Sequence, residues 1–120
     1  MKNKILIIDD QDIIRELVKE MLEVFDVETY EAESMAEAIK IFKEKHNEIF
    51  LIFFDLHLDG ATGVEVYEEL KKISTDFVPV LATGEHIDST NTKYHDIGFK
   101  EIVIKPYKLA SLQELIKKYS

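Results

Sequence analysis

Apolar residues along this 120-residue chain fall into two alternating patterns. Short unbroken runs rich in branched side chains read as buried strands, and longer stretches with apolar residues every third or fourth position read as amphipathic helices. The first run, Ile5 to Ile8, predicts a strand covered on both faces. After it, Ile13, Ile14, Leu17, Val18, Met21, Leu22 and Phe25 recur at helical spacing around Arg15, Glu16, Lys19, Glu20 and Glu23, which predicts a helix from about Asp12 to Phe25. A weaker strand over Val27 to Tyr30 follows. Ser34 with Glu37 three positions on is a capping-box pair that opens a helix burying Ala38, Ile39 and Phe42 and running to about Lys45.

The strongest run, Ile49 to Phe54, ends at Asp55 and has the character of the central strand of a parallel sheet. A polar loop from Asp55 to Gly63 separates it from a helix marked by Val66, Leu70 and Ile73. Val78 to Ala82 is a strand stopped by Thr83–Gly84, Ile102 to Ile104 a fifth strand, and Leu109, Leu112, Leu115 and Ile116 a closing helix. Between Glu85 and Asp96 the pattern is mostly polar, relieved by Ile87 and Tyr94, and carries the weakest helix signal of the chain. Five strand–helix units in series predict one α/β domain over residues 1–120, a parallel sheet with helices on both faces. No linker, repeat or low-complexity tract divides it. In such sheets ligands bind beyond the carboxyl ends of the strands, so those ends are where chemistry is sought.

Charge sharpens this picture. Fifteen Lys and Arg against 24 Asp and Glu leave a formal charge of −9, which repels a phosphate backbone and argues against direct nucleic-acid binding by this domain. The absence of Cys excludes a disulfide framework, a thiolate metal site and a Cys nucleophile, and fits the cytoplasm. The first apolar run is too short for a signal-peptide core or a membrane span, so no membrane insertion is expected.

The residues just past the strands are Asp9 and Asp10, then Asp55, Thr83 and Lys105. Taken singly each has an ordinary structural reading: acids at a helix N-terminus, a turn residue, a strand-end hydroxyl, a solvated cation. Taken together they place three carboxylates, one hydroxyl and one ammonium at one edge. Acids so gathered raise one another's pKa unless a cation joins them, and hard oxygen ligands suit Mg²⁺. Lys105 and Thr83 can hold anionic oxygens, and Asp55, after the longest buried run, is the natural nucleophile toward a phosphoryl donor. The four His residues, His46, His57, His86 and His95, read as surface positions.

Asp9–Asp10, Asp55, Thr83–Gly84 and Lys105–Pro106, in this order after the first, third, fourth and fifth strands, resemble the response-regulator receiver domain of two-component signalling over essentially the whole chain. The resemblance implies a flavodoxin-like (βα)5 fold with strand order 2-1-3-4-5. It implies that Asp55 accepts a phosphoryl group from a sensor histidine kinase or histidine phosphotransfer protein, with Thr83 and Lys105 holding phosphoryl oxygens. It further implies Mg²⁺ bound by Asp10 and Asp55, by Asp9 through water and by the backbone carbonyl of His57, and a cis Lys105–Pro106 bond. Output would pass to a downstream protein target or a fused output domain. Turnover would be confined to the domain's own Asp55, so the chain is not otherwise an enzyme.

Three departures stand out. Ile102 occupies the position of the family's usual aromatic switch residue, which implies another route for the signal. Asp59 replaces the Pro common there and brings a fourth acid toward the pocket, and His57 and Glu85 occupy two variable positions that tune phosphoryl lifetime. Two other readings share the pattern: a binding-only receiver-like domain without phosphotransfer, and an aspartyl-phosphate phosphatase, which needs a second acid where His57 stands.

Overall fold

The computed structural model describes residues 2–84 and 92–120. In chain order the elements are β1 (Lys4–Ile8), α1 (Asp12–Glu23), β2 (Glu28–Ala32), α2 (Met35–Lys45), a 3-10 turn (His46–Glu48), β3 (Ile49–Asp55), β4 (His57–Leu58), β5 (Ala61–Thr62), α3 (Gly63–Lys71), β6 (Val78–Thr83), α4 (Lys93–Ile97), β7 (Glu101–Ile104) and α5 (Leu109–Tyr119). Five of the strands pair in parallel in the order β2-β1-β3-β6-β7, the 2-1-3-4-5 arrangement expected from the sequence. β4 and β5 form a separate antiparallel hairpin inside the loop that follows β3.

Alternation along the strands divides the core into two layers. Ile5, Ile7 and Phe53 meet Val18 and Leu22 of α1 and Leu112 and Leu115 of α5 on one face. Leu6, Ile8, Ile52 and Phe54 meet Ala38 and Phe42 of α2 and Val66, Tyr67 and Leu70 of α3 on the other. β3 is buried along its whole length, as its unbroken apolar run requires. Among the described residues no helix is long and apolar enough to cross a membrane.

Local chemistry sets the boundaries, and some differ from the expected ones. β2 starts and ends later than Val27 to Tyr30, because polar Glu28 and Glu31 lie on an edge strand beside Lys4 and Arg15. Ser34 accepts the Glu37 N–H as a cap should, but the Glu37 carboxylate takes the N–H of Glu33. The complete capping box is Thr62 with Glu65, which fixes the start of α3. α4 is a short helix, and Glu85, His86 and Ile87 lie outside the described residues. The Lys105–Pro106 bond is cis, as anticipated.

α1 ends in a Schellman motif: the Val27 N–H donates to the Leu22 carbonyl and the Asp26 N–H to that of Glu23. Asp26 holds the left-handed position with φ 60°, where a Cβ crowds the backbone. Asp26→Gly should stabilise the protein by about 1 kcal/mol in urea unfolding.

At the other end of the chain, the Glu101 carboxylate on β7 accepts from Lys118 Nζ at 2.9 Å and Tyr119 Oη at 2.5 Å, closing α5 onto the sheet. Burial works to raise the Glu101 pKa, but these donors outweigh it and hold the carboxyl below its ordinary value. A carboxyl depressed in the folded state stabilises above its unfolded pKa and loses that stabilisation as pH falls through the folded value. Wild type should therefore exceed Glu101→Gln in stability by about 1 kcal/mol near neutrality, with the gap closing below the ordinary value of 4.5. Urea unfolding at pH 7 and pH 3 measures it.

Candidate functional site

The strand ends are brought to one place by backbone hydrogen bonds. The Asp9 N–H donates to the Ala32 carbonyl at the end of β2 (3.1 Å), the Leu56 N–H to that of Ala82 (2.9 Å) and the Lys105 N–H to that of Thr83 (2.7 Å). Asp9 continues the face of Ile5 and Ile7, and Asp55 the face of Phe53, so both carboxyl groups leave the sheet toward the α1 and α5 side. Both are buried, Asp9 completely, and Thr83 is buried with them.

Lys105 Nζ lies 2.8 Å from Asp9 Oδ2 and 3.1 Å from Asp55 Oδ1. The Gln11 N–H adds a bond to Asp9 Oδ1 at 2.9 Å, and the His57 N–H approaches Asp55 Oδ1 at 3.4 Å. Asp10 completes the cluster: one carboxylate oxygen from each of Asp9, Asp10 and Asp55 lies within 4.8 Å of the others. Burial is the main cause that lifts the Asp55 carboxyl above its ordinary value; the Lys105 charge opposes it and the Asp9 charge reinforces it. Burial alone would lower the Lys105 pKa, but the hydrogen bond and charge of Asp9, joined by Asp55, outweigh it and hold the ammonium above its ordinary value. Tyr107 packs its ring edge-on to Phe53, and burial followed by the Asp9 and Asp55 charges pushes its hydroxyl pKa up.

All six expected positions, Asp9, Asp10, Asp55, His57, Thr83 and Lys105, thus lie at the carboxyl edge of the sheet. Asp59 differs from its expectation. Its carboxylate is exposed and stands outside the group of three, while its backbone N–H donates to Asp10 Oδ2 at 3.1 Å. His46 packs on Phe42 and His95 bonds the Phe99 carbonyl through Nδ1, away from the acids. Ile102 packs partly buried against the layer containing Phe99 and Tyr67.

Arg15 is the participant that its helical spacing hid among surface residues. Its side chain is 11% exposed. The guanidinium donates to the Asp9 carbonyl at 2.5 Å, pairs with Asp12, and faces Glu31 at 3.4 Å. The one signal for it in the sequence is its place on the first turn after two consecutive acids.

The family model of the response regulator receiver domain matches residues 5–117. The chain belongs to this family. The receiver domain is 25% identical over 119 residues to sporulation initiation phosphotransferase F of Bacillus subtilis, which takes in 99% of this chain and 94% of that protein. It is 30% identical over 122 residues to hybrid signal transduction histidine kinase L of Dictyostelium discoideum, where the match covers 97% of this chain and spans 7% of the kinase's length. Among solved structures it is similar to the response regulator TrrA of Thermotoga maritima in complex with Mg²⁺-BeF, with a TM-score of 0.78 and 34% identity across 98% of both chains.

In this receiver domain β3 and α3 meet without spare room. A Cβ on Gly63 would fall 2.5 Å from the Asp55 carbonyl oxygen, a backbone atom that cannot swing aside. Gly63→Ala should cost about 1–3 kcal/mol in urea unfolding.

Proposed function

We propose that residues 1–120 act as one phosphoacceptor unit in which Asp55 takes a phosphoryl group from a histidine kinase or histidine phosphotransfer protein, in a reaction that requires Mg²⁺. The observation that carries this reading is the single ammonium of Lys105 shared by Asp9 and Asp55, with Asp10 beside them. Three carboxylates around one ammonium leave two negative charges, which a divalent cation balances, and all-oxygen donors at a partly hydrated edge suit Mg²⁺. Asp10, Asp55 and the His57 carbonyl, with Asp9 through water, would hold the cation, which would supply charge neutralisation for the transferring oxygens.

The protein's own residues do the rest. Asp55, held through Oδ1 by Lys105 and the His57 N–H, presents its carboxylate for attack on phosphorus. The new Oδ–P bond replaces the N–P bond of the donor histidine, whose ring nitrogen leaves with the bond pair. Lys105 and the Thr83 hydroxyl take up phosphoryl oxygens as charge builds on them. The resulting acyl phosphate shifts the populations of the surrounding loops, and so selects contacts with a downstream protein or a fused output domain. The net charge of −9 and the lack of Cys support a cytoplasmic protein-binding role without direct nucleic-acid contact.

Incubation with acetyl phosphate and Mg²⁺ should add the mass of one phosphoryl group. Chelation with EDTA should abolish the gain, and Asp55→Asn should show none. Equal labelling of Asp55→Asn in mass spectrometry would overturn the assignment.

A further inference from the structure

The hairpin formed by β4 and β5 turns on Asp59 and Gly60, with Leu58 paired to Ala61 and Gly60 at φ 85°. A positive φ at the third residue, with the second residue Asp59 outside that region, is the signature of a type II turn, whose own hydrogen bond joins the first and fourth residues. The N–H of the second residue is not used by such a turn and points outward. Here that N–H belongs to Asp59 and ends on Asp10 Oδ2, bridging positions 49 residues apart.

Asp9 and Asp10 are held very differently. Asp9 is completely buried and fixed by Lys105, by the Gln11 N–H and, at its carbonyl, by Arg15. Asp10 lies at the partly exposed side of the cluster, where a carboxylate that nothing restrains would lose rotamer freedom on meeting a cation. Each carboxylate oxygen carries two lone pairs, so an N–H on Oδ2 leaves Oδ1 open to a metal. Outer partners of this kind orient ligating carboxylates and are worth about 10- to 100-fold in metal affinity.

We infer that Asp59 is a positioning residue that works through its main chain, its N–H pre-orienting Asp10 as a Mg²⁺ ligand while its exposed side chain contributes nothing to binding. The inference rests on the reading of Asp10 as a metal ligand. It gives the departure from Pro at this position a physical meaning: a proline has no N–H and cannot make this bond.

The type II turn accepts Pro at its second position, so Asp59→Pro removes the donor with the turn kept, and Asp59→Ala removes the carboxylate with the donor kept. Mg²⁺ titrations followed by NMR should place Asp59→Ala within about twofold of wild type and Asp59→Pro about tenfold weaker, with metal-free spectra showing the same fold in all three. Equal affinity of Asp59→Pro and wild type overturns the inference, as does an Asp59→Ala protein as weak as Asp59→Pro. A wild type that fails to bind Mg²⁺ overturns instead the reading of the site on which the inference rests. Amide exchange supplies a measurement free of metal and of proline. The Asp59 amide should exchange about tenfold faster in Asp10→Ala than in wild type, as expected for loss of a bond worth about 1.4 kcal/mol, and an unchanged rate overturns the tie itself.

Discussion

One ammonium held between two buried carboxylates is the constraint on which the carboxyl edge of this sheet depends. Parallel strands deliver Asp9 and Asp55 to the same edge on the same face, and burial forbids both charges unless a cation answers them. Lys105 answers them from 96 positions beyond Asp9, at a point set by the bond from its own N–H to the Thr83 carbonyl. Removing one member of such a buried set costs about 3–5 kcal/mol, because the others are left uncompensated. The central strand order is therefore also an electrostatic arrangement: β1, β3 and β7 must each end at the right height for three side chains to meet.

Around that centre the loops are satisfied by the acids as much as the acids by the loops. Main-chain donors of Gln11, His57 and Asp59 end on carboxylates, and Arg15 takes the Asp9 carbonyl. Any event that redistributes negative charge at Asp55 therefore changes the hydrogen-bonding terms of the segments after β1 and β3 together. A covalent change at one carboxylate reaches loop geometry through polar contacts, while the apolar layers beneath stay packed.

The layers of the fold were legible because their signal is repeated: Ile5 to Ile8 and Ile49 to Phe54 are unbroken runs, and α1 repeats its period over three turns. The site was legible because parallel-sheet topology sends each strand end to a common edge, so Asp9, Asp55, Thr83 and Lys105 needed no more than the strand boundaries. What escaped was short or compensated. The hairpin of β4 and β5 has two residues per strand, below any period that alternation can reveal. Arg15 sits among acids on a helix, the usual mark of a solvated face, yet it is half-buried and donates to the Asp9 carbonyl. Asp59 was read by its side chain, and its contact is made by its backbone.

Gly63 carries a consequence for how this domain tolerates change. The first residue of α3 rests against the peptide of Asp55 with no side chain between them. That contact works as a mechanical stop: the helix takes its axial position from the carbonyl of Asp55, with no compressible spacer to absorb a displacement. Sequence drift elsewhere in α3 can alter its outer face freely, whereas the seam at its first turn is a zero-clearance joint that ties the placement of a whole helix to one peptide unit.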